Sequence, residues 1–428
     1  MLPLDLPPDP PSSRLQRDWP ATRAEGLRRV AAFAPRMGGA YKSGRNHDLG
    51  PDRREHVSLL SPYLARRMVS EAEVVEAALG RFRLSTAEKF VQEVVWRTYF
   101  KGWLEQRPRV WDDYRAGLAA DRAGLAADPA LAARVAAAME GRTGIDAFDA
   151  WAAELVETNY LHNHARMWFA SIWIFTLGLP WRLGADFFLR HLLDGDAASN
   201  TLGWRWVAGL HTRGKCYAAT AANIRKYTDG RFDPAGLVRD PAPLDEGPLP
   251  ARGALRVPEV PGGERSEGPA VLLLTTEDLG VEGFAAGEAW SGVATLQLTG
   301  LRSGAYSGPE TGAETAAAVH AFDAAALADA AARAGQAGPR SFDAATAPGD
   351  IVDWARGDGA TRIVTGFVHA GWVADWLAGL RPALAAAGIA LEERRRAWDA
   401  AFHPHCTAGF FKVKGQIPAA LRALGLPA

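Results

Sequence analysis

Four clusters in the first half of this 428-residue chain combine polar groups with large aromatic rings. In FVQEVVWRTYF (90–100), Glu93, Trp96, Arg97 and Phe100 fall at i, i+3, i+4 and i+7. A helix through them shows a carboxylate, an indole, a guanidinium and a phenyl ring on one face. Trp96 and Glu93 suit a flat heterocycle, by stacking and by hydrogen bonding; an Arg97–Glu93 pair on an ordinary amphipathic face explains the spacing too. In NYLHNHARMWFASIW (159–173), Asn163 and Arg166 are expected to point inward from a helix that soon turns apolar, and a buried guanidinium needs an anion. Asp194 and Asp196 of DGDAASNTLGWRW (194–206) are the nearest in sequence, in a stretch that adds Asn200, Trp204 and Trp206. In HVSLLSPYL (56–64), Ser58 and Ser61 stand at a predicted helix start where hydroxyls and free N–H groups could hold a phosphate. Taken singly, serine N-capping and a buried ion pair account for these residues. Taken together, they point to a large ligand with a phosphate end and an aromatic end.

These residues need helices to position them. Apolar residues recur at helical spacing in Glu71 to Leu79, Thr86 to Gln106 and Ala150 to Leu179, so the first half is predicted to be mostly helical. Residues 238–269, rich in Pro, Gly and charge, are read as an interdomain linker between a helical domain (1–237) and a second domain (270–428). In the latter, AVLLLTT (270–276), GVATLQLTG (292–300) and TRIVTGFV (361–368) read as buried strands. They alternate with alanine-rich helices at 314–335 and 370–388, which predicts a parallel, flavodoxin-like or Rossmann-like α/β sheet. The fold class is therefore α plus α/β.

Composition narrows the classes. The apolar run Met167 to Pro180 is too short to span a bilayer and reads as a buried helix. The proline-rich, acidic start MLPLDLPPDPPSSR lacks signal-peptide character, so the expected location is cytoplasmic. Two distant cysteines, Cys216 and Cys406, support neither a disulfide framework nor a four-cysteine metal site. HPHC (403–406) offers three ligands but needs another from elsewhere, so no metal is expected. No dinucleotide or phosphate-loop fingerprint and no Ser–His–Asp or Cys–His constellation is identifiable. The net charge of −1 hides 33 Lys+Arg against 28 Asp+Glu over residues 1–240, so a polyanion would meet this half.

The words SLLSPYL, EVVWRTYF, GRTGIDAFDA, NYLHNHARM and DGDAASNTLGWRW, in this order over about residues 20 to 235, resemble the signature segments of the photolyase and cryptochrome family. The resemblance implies a helical domain that binds FAD in a folded form. Ser58, Leu60 and Ser61 would contact its phosphates, Tyr41 would flank the adenine or phosphate side, and Arg97 would support the pocket. Asn163, Arg166, Asp194 and Asp196 would surround the ring system, with Arg166 and Asp194 paired and Asn200 facing the flavin N5. Trp204 and Trp181 match the first two electron carriers. The usual third lies upstream of GRTG, where no tryptophan occurs between Trp111 and Trp151, leaving Trp111, Tyr114, Trp168 or Trp173 for the role. Glu93, Trp96, Asn163, Met167 and Trp206 match the family's dimer pocket, and His164 replaces a usual arginine.

AVLLLTTEDLGVEGF (270–284) and residues 349–391 are similar to the family's α/β domain, which ordinarily comes first; the resemblance thus implies a circular permutation. The implied function is blue-light-driven splitting of a pyrimidine dimer in UV-damaged DNA by reduced flavin, a carbon–carbon lyase reaction. The competing expectation is a photoreceptor signalling through a protein partner; the third is a flavoprotein with neither activity. The residues do not specify an antenna chromophore.

Overall fold

The computed structural model describes residues 18–256, 268–303 and 314–428. The proline-rich start, the centre of the predicted linker and most of the glycine-bearing stretch 300–308 lie outside the described residues. The first half is helical: α1 (Arg23–Phe33), α2 (Gly39–Gly44), α3 (Ser61–Ala65), α4 (Glu71–Leu79), α5 (Leu84–Glu105), α6 (Arg109–Ala127), α7 (Pro129–Met139), α8 (Asp146–Thr158), α9 (Asn163–Ser171), α10 (Trp181–His191), α11 (Ala197–Val207) and α12 (Ala221–Tyr227). In the second half, strands β1 (Ala270–Thr275), β2 (Gly292–Gln297), β3 (Arg340–Asp343), β4 (Arg362–Gly366) and β5 (Ala390–Arg394) alternate with α13 (Val281–Phe284), α14 (Ala317–Arg333), α15 (Pro348–Gly357) and α16 (Trp372–Ala387). Three short helices close the chain: α17 (Ala397–Phe402), α18 (Phe410–Lys414) and α19 (Ile417–Ala423).

Local chemistry explains the elements that matter. Ser70 and Glu73 form a reciprocal capping box at the start of α4. The segment expected to be helical from Ala150 to Leu179 is instead broken. Asn159 enters the left-handed region at φ 54° and ends α8, a conformation asparagine tolerates better than most residues. His162 then starts α9 by accepting from His164 N–H. Residues Ile172–Thr176 form a π turn, closed by Leu177 N–H donating to Ile172 O at 2.8 Å.

The sheet is wholly parallel with strand order β3-β2-β1-β4-β5. Central β1 is buried at every position, as expected where helices cover both faces. The predicted strands at 292–300 and 361–368 are shorter than expected; 299–303 turn into a 3-10 helix. β3 and β5 were not expected. No helix among the described residues is long and apolar enough to cross a membrane.

The two halves meet through buried ion pairs and hydrogen bonds: Arg66 with Asp323, Arg67 with Asp399, Lys101 with Glu277, and Trp398 Nε1–H donating to Thr98 Oγ1 at 2.8 Å. The described part of the predicted linker, 238–256, has no helix or strand but is pinned to both halves. Glu246 accepts from Arg182 and Arg205, each at 2.9 Å, and Arg256 reaches Glu105 and Glu393 at 3.2 and 2.6 Å.

Candidate flavin site

The breaks between α8 and α9 and between α10 and α11 lie side by side. Leu193 N–H donates to Asn159 O at 2.9 Å and Asn159 Nδ2 donates to His191 O at 3.0 Å. This brings Arg166, on the first turn of α9, to Asp194: Nη2 donates to Oδ2 at 3.0 Å, while Nε donates to Leu161 O. Burial alone would raise the Asp194 pKa, but Arg166, Arg97 and the Ser61 hydroxyl hold it down at about 2. Asp196 caps α11 by accepting from Ser199 N–H at 2.8 Å and also accepts from Arg97. Asn200, nearly buried, donates through Nδ2 to Ala185 O at 2.8 Å, which fixes the orientation of its amide.

The α5 face behaves differently from an Arg–Glu stripe. Glu93 and Arg97 do not pair with each other: Glu93 accepts from Arg45, and Arg97 turns to Asp196. Burial raises the Glu93 pKa, with Arg45 opposing. Trp96 is stacked on Phe410 of α18, with centroids 3.9 Å apart and planes within 11°. Trp206 stacks on Tyr217 at 5.6 Å. Met167 is partly buried against the core. Asn163, expected to point inward, is exposed, because it is the first residue of α9 and the apolar face begins at Ala165.

In the serine segment, neither Ser58 nor Ser61 caps α3, whose N-cap residue is Leu60 and which lacks a side-chain cap. Ser61 instead faces Asp194 and helps hold its charge. Leu59 sits at φ 53°, a strained position for a leucine, directly before buried Leu60. The Tyr41 ring is packed edge-on against Phe90 and Phe33, with centroids at 5.1 and 6.1 Å, and its hydroxyl meets Arg45.

Trp204 is buried, and its Nε1–H has no hydrogen-bond partner. It fills the space left by Gly184, where a Cβ would lie 2.3 Å from the indole. One turn earlier on α10 stands Trp181, with Nε1–H donating to Glu246 at 2.9 Å. From Trp181, ring contacts continue through Tyr114 (5.7 Å) to Trp111 (5.3 Å) and on to Trp372 (6.2 Å). Trp111 Nε1–H donates to Asp375 Oδ2 at 2.8 Å, whereas the buried Tyr114 hydroxyl has no partner. Trp173 touches Trp204 at 6.2 Å but leads into the phenylalanines Phe148 and Phe169. Trp168 stacks on Trp151.

Arg45, Phe410 and Asp375 were missed from the sequence. Each reaches the cluster through tertiary packing, with no spacing relation to the residues it meets. A shallow surface cleft lined by Ala222, Arg225, Lys226, Asp229, Gly230 and Asp233 shares no residue with the cluster, and Arg225 pairs with Asp233 across it at 3.4 Å.

A FAD molecule carries a diphosphate, a polyol chain and a flat ring with hydrogen-bonding edges. The residues fit that chemistry. Buried Asp194 Oδ1 and Ser199 Oγ lack partners, and two guanidinium–carboxylate pairs converge at the start of α11. Such orphaned buried groups call for a polar ligand.

Residues 90–238 match the family model described as the FAD binding domain of DNA photolyase. Among curated relatives, the deoxyribodipyrimidine photo-lyase of Streptomyces griseus is 39% identical over 173 residues, 40% of this chain and 35% of that protein. That of Neurospora crassa is 27% identical over 54% of this chain and 38% of that protein. The cryptochrome DASH of Ostreococcus tauri is 34% identical over 46% of this chain and 34% of that protein. The chain thus spans little more than a third of the curated relatives it matches. Among solved structures, a class III photolyase from Agrobacterium tumefaciens is 26% identical over 52% of this chain and 46% of that one, with a TM-score of 0.40. A Synechocystis cryptochrome is 23% identical over 49% and 43%, with a TM-score of 0.41. The helical half of this chain is thus similar, over residues 90–238, to the FAD binding domain of DNA photolyase, and the curated relatives it resembles are photo-lyases and a cryptochrome DASH.

Proposed function

We propose that this chain is a flavin-dependent, light-driven lyase that splits pyrimidine dimers in DNA. The observation that carries the reading is the Arg166–Asp194 pair beside Arg97–Asp196, set in the stretch that matches the photolyase FAD-binding domain. When bound, FAD supplies a chromophore that donates an electron on blue-light excitation. Asp194, kept charged by Arg166, and Asp196 fix the ring end, Asn200 presents its amide to it, and Ser58, Leu60 and Ser61 face the phosphates. Asn163, exposed at the start of α9, joins Glu93, Met167 and Trp206 around the lesion, with Glu93 as hydrogen-bonding partner.

The aromatic chain serves recharging. Trp204 gives up an electron inward and is refilled from Trp181, which draws through Tyr114 on Trp111. An oxidised indole is a strong acid, and Trp204 has no acceptor for its proton, so the hole moves on instead of being trapped. Glu246 beside Trp181 already accepts from two arginines. Asp375 faces one, Arg115, and burial raises its pKa. Trp111 therefore passes its proton to Asp375 and is the terminal carrier.

The matched domain precedes the sheet in this chain, which supports a circularly permuted order with the α/β domain (270–428) second. The second reading is a photoreceptor acting through a protein partner; it is favoured by the Phe410 ring stacked on Trp96, which covers one face of a residue assigned to the lesion. Blue-light-dependent splitting of a thymine dimer, in single- and double-stranded oligonucleotides, separates the two. No splitting by the fully reduced, FAD-loaded chain overturns the repair reading.

A further inference from the structure

At the carboxyl ends of β1 and β4, where the strand order reverses, lies a buried cluster that flavin chemistry does not use. Open α/β sheets bind ligands at this kind of switch point. His369 follows β4, and Asp399 and His403 stand one turn apart at i and i+4 in the closing helices. Their side chains are at most 2% exposed. No ring nitrogen of His369 or His403 has a hydrogen-bond partner, which is unusual for imidazoles so deeply buried.

The separations suit one small cation. His403 Nε2 lies 3.4 Å from Asp399 Oδ1 and His369 Nε2 lies 3.7 Å from Asp399 Oδ2. All three residues offer ligand atoms within 4.8 Å of one another. Bonds of about 2.0–2.1 Å to a tetrahedral zinc place ligand atoms about 3.3–3.4 Å apart, so the two contacts to Asp399 nearly match while the widest separation must close by up to about 1.4 Å. The outer shell is in place as well. The other nitrogen of His369, Nδ1, faces Glu277 Oε2 at 3.6 Å, and Lys101 holds Glu277 at 3.0 Å. Arg67 donates to both oxygens of Asp399, at 2.7 and 2.6 Å, leaving each oxygen a second lone pair. A carboxylate behind a ligating histidine and a donor behind a ligating carboxylate are the usual outer partners of a metal.

We propose that His369, Asp399 and His403 supply three ligands of a tetrahedral zinc site, with water as the fourth, that fastens the closing helices to the sheet and, through Arg67 and Lys101, to the helical half. His405, which the HPHC spacing offered as a ligand, is more exposed and takes no part.

The test uses the full chain, purified without added metal, washed with a strong chelator and analysed for metal content. About one zinc per chain is expected, because binding at a site that exists only in the folded chain contributes directly to folding. His403→Gln and His369→Gln should fall to background while His405→Gln keeps its zinc. Refolding the unsubstituted chain in Co2+ should give the intense visible bands of tetrahedral cobalt, a readout that does not depend on whether variants fold. Zinc below about a tenth of an equivalent, together with no such bands, overturns the site.

Discussion

Arg166→Gln is the sharpest probe of the Asp194 cluster, because it removes one partner of a buried ion pair and changes little volume. In the intact chain Asp194 is held at about 2 against an ordinary 3.8. At about 1.36 kcal/mol per tenfold change, that is worth on the order of 2 kcal/mol in favour of the folded state at neutral pH. Without Arg166, Asp194 keeps Ser61 and a distant Arg97 Nη2 at 3.9 Å. Burial then dominates and lifts its pKa above the unfolded value. Breaking one side of a buried pair costs about 3–5 kcal/mol, so a loss of about 3 kcal/mol is expected at pH 7.

The pH dependence fixes the cause. A carboxyl whose folded pKa is depressed contributes fully above its unfolded pKa and loses that contribution as pH falls from about 4 toward 2. In the variant, acid instead relieves the penalty, because protonation removes the unpaired charge. The gap between the two proteins should therefore shrink on acidification. Urea unfolding of both, followed by tryptophan fluorescence from pH 7 down to pH 3.5, measures it. A gap that stays constant across that range, or one below about 1 kcal/mol at pH 7, refutes the assignment of Asp194 as a charge held by Arg166.

Trp111→Phe should leave flavin binding intact but slow photoreduction at least about tenfold, and Asp375→Asn should delay formation of the neutral tryptophan radical in transient absorption; unchanged kinetics in both would return the terminal role to Trp181. Phe410→Ala should cost about 3 kcal/mol and open the stacked face of Trp96. If Trp96 serves DNA, binding of a dimer-containing oligonucleotide should tighten in that variant, whereas a drop in its affinity would mean that Phe410 belongs to the binding surface.

Much of this was legible where pattern and burial agree. α4 and α5 follow their apolar periods almost to the residue, and the need of a buried Arg166 for an anion pointed to Asp194. β3 and β5 escaped notice for different reasons. RSFD is a four-residue edge strand with one buried side chain. ALEER reads as a charged loop, yet Glu392 and Glu393 are both buried because Arg362 and Arg394 take the first and Arg256 and Arg381 the second. Period-two patterning fails when the buried positions are ion pairs. Asn163 was misplaced because the apolar face of α9 begins only at Ala165, so its first residue lies outside it. The Arg45–Glu93 and Phe410–Trp96 contacts join segments far apart in the chain, and no local spacing encodes them.

The stitch between Asn159 and the turn after α10 has a consequence for how this site can vary. Two backbone-anchored hydrogen bonds, at 2.9 and 3.0 Å, tie the loop that launches Arg166 to the loop that carries Asp194. A residue inserted into either loop alone would shift one ion-pair partner along the other by about 3.5 Å, more than the pair can absorb. The two loops therefore form one inherited part. A designer transplanting this site to another helical scaffold must move both together.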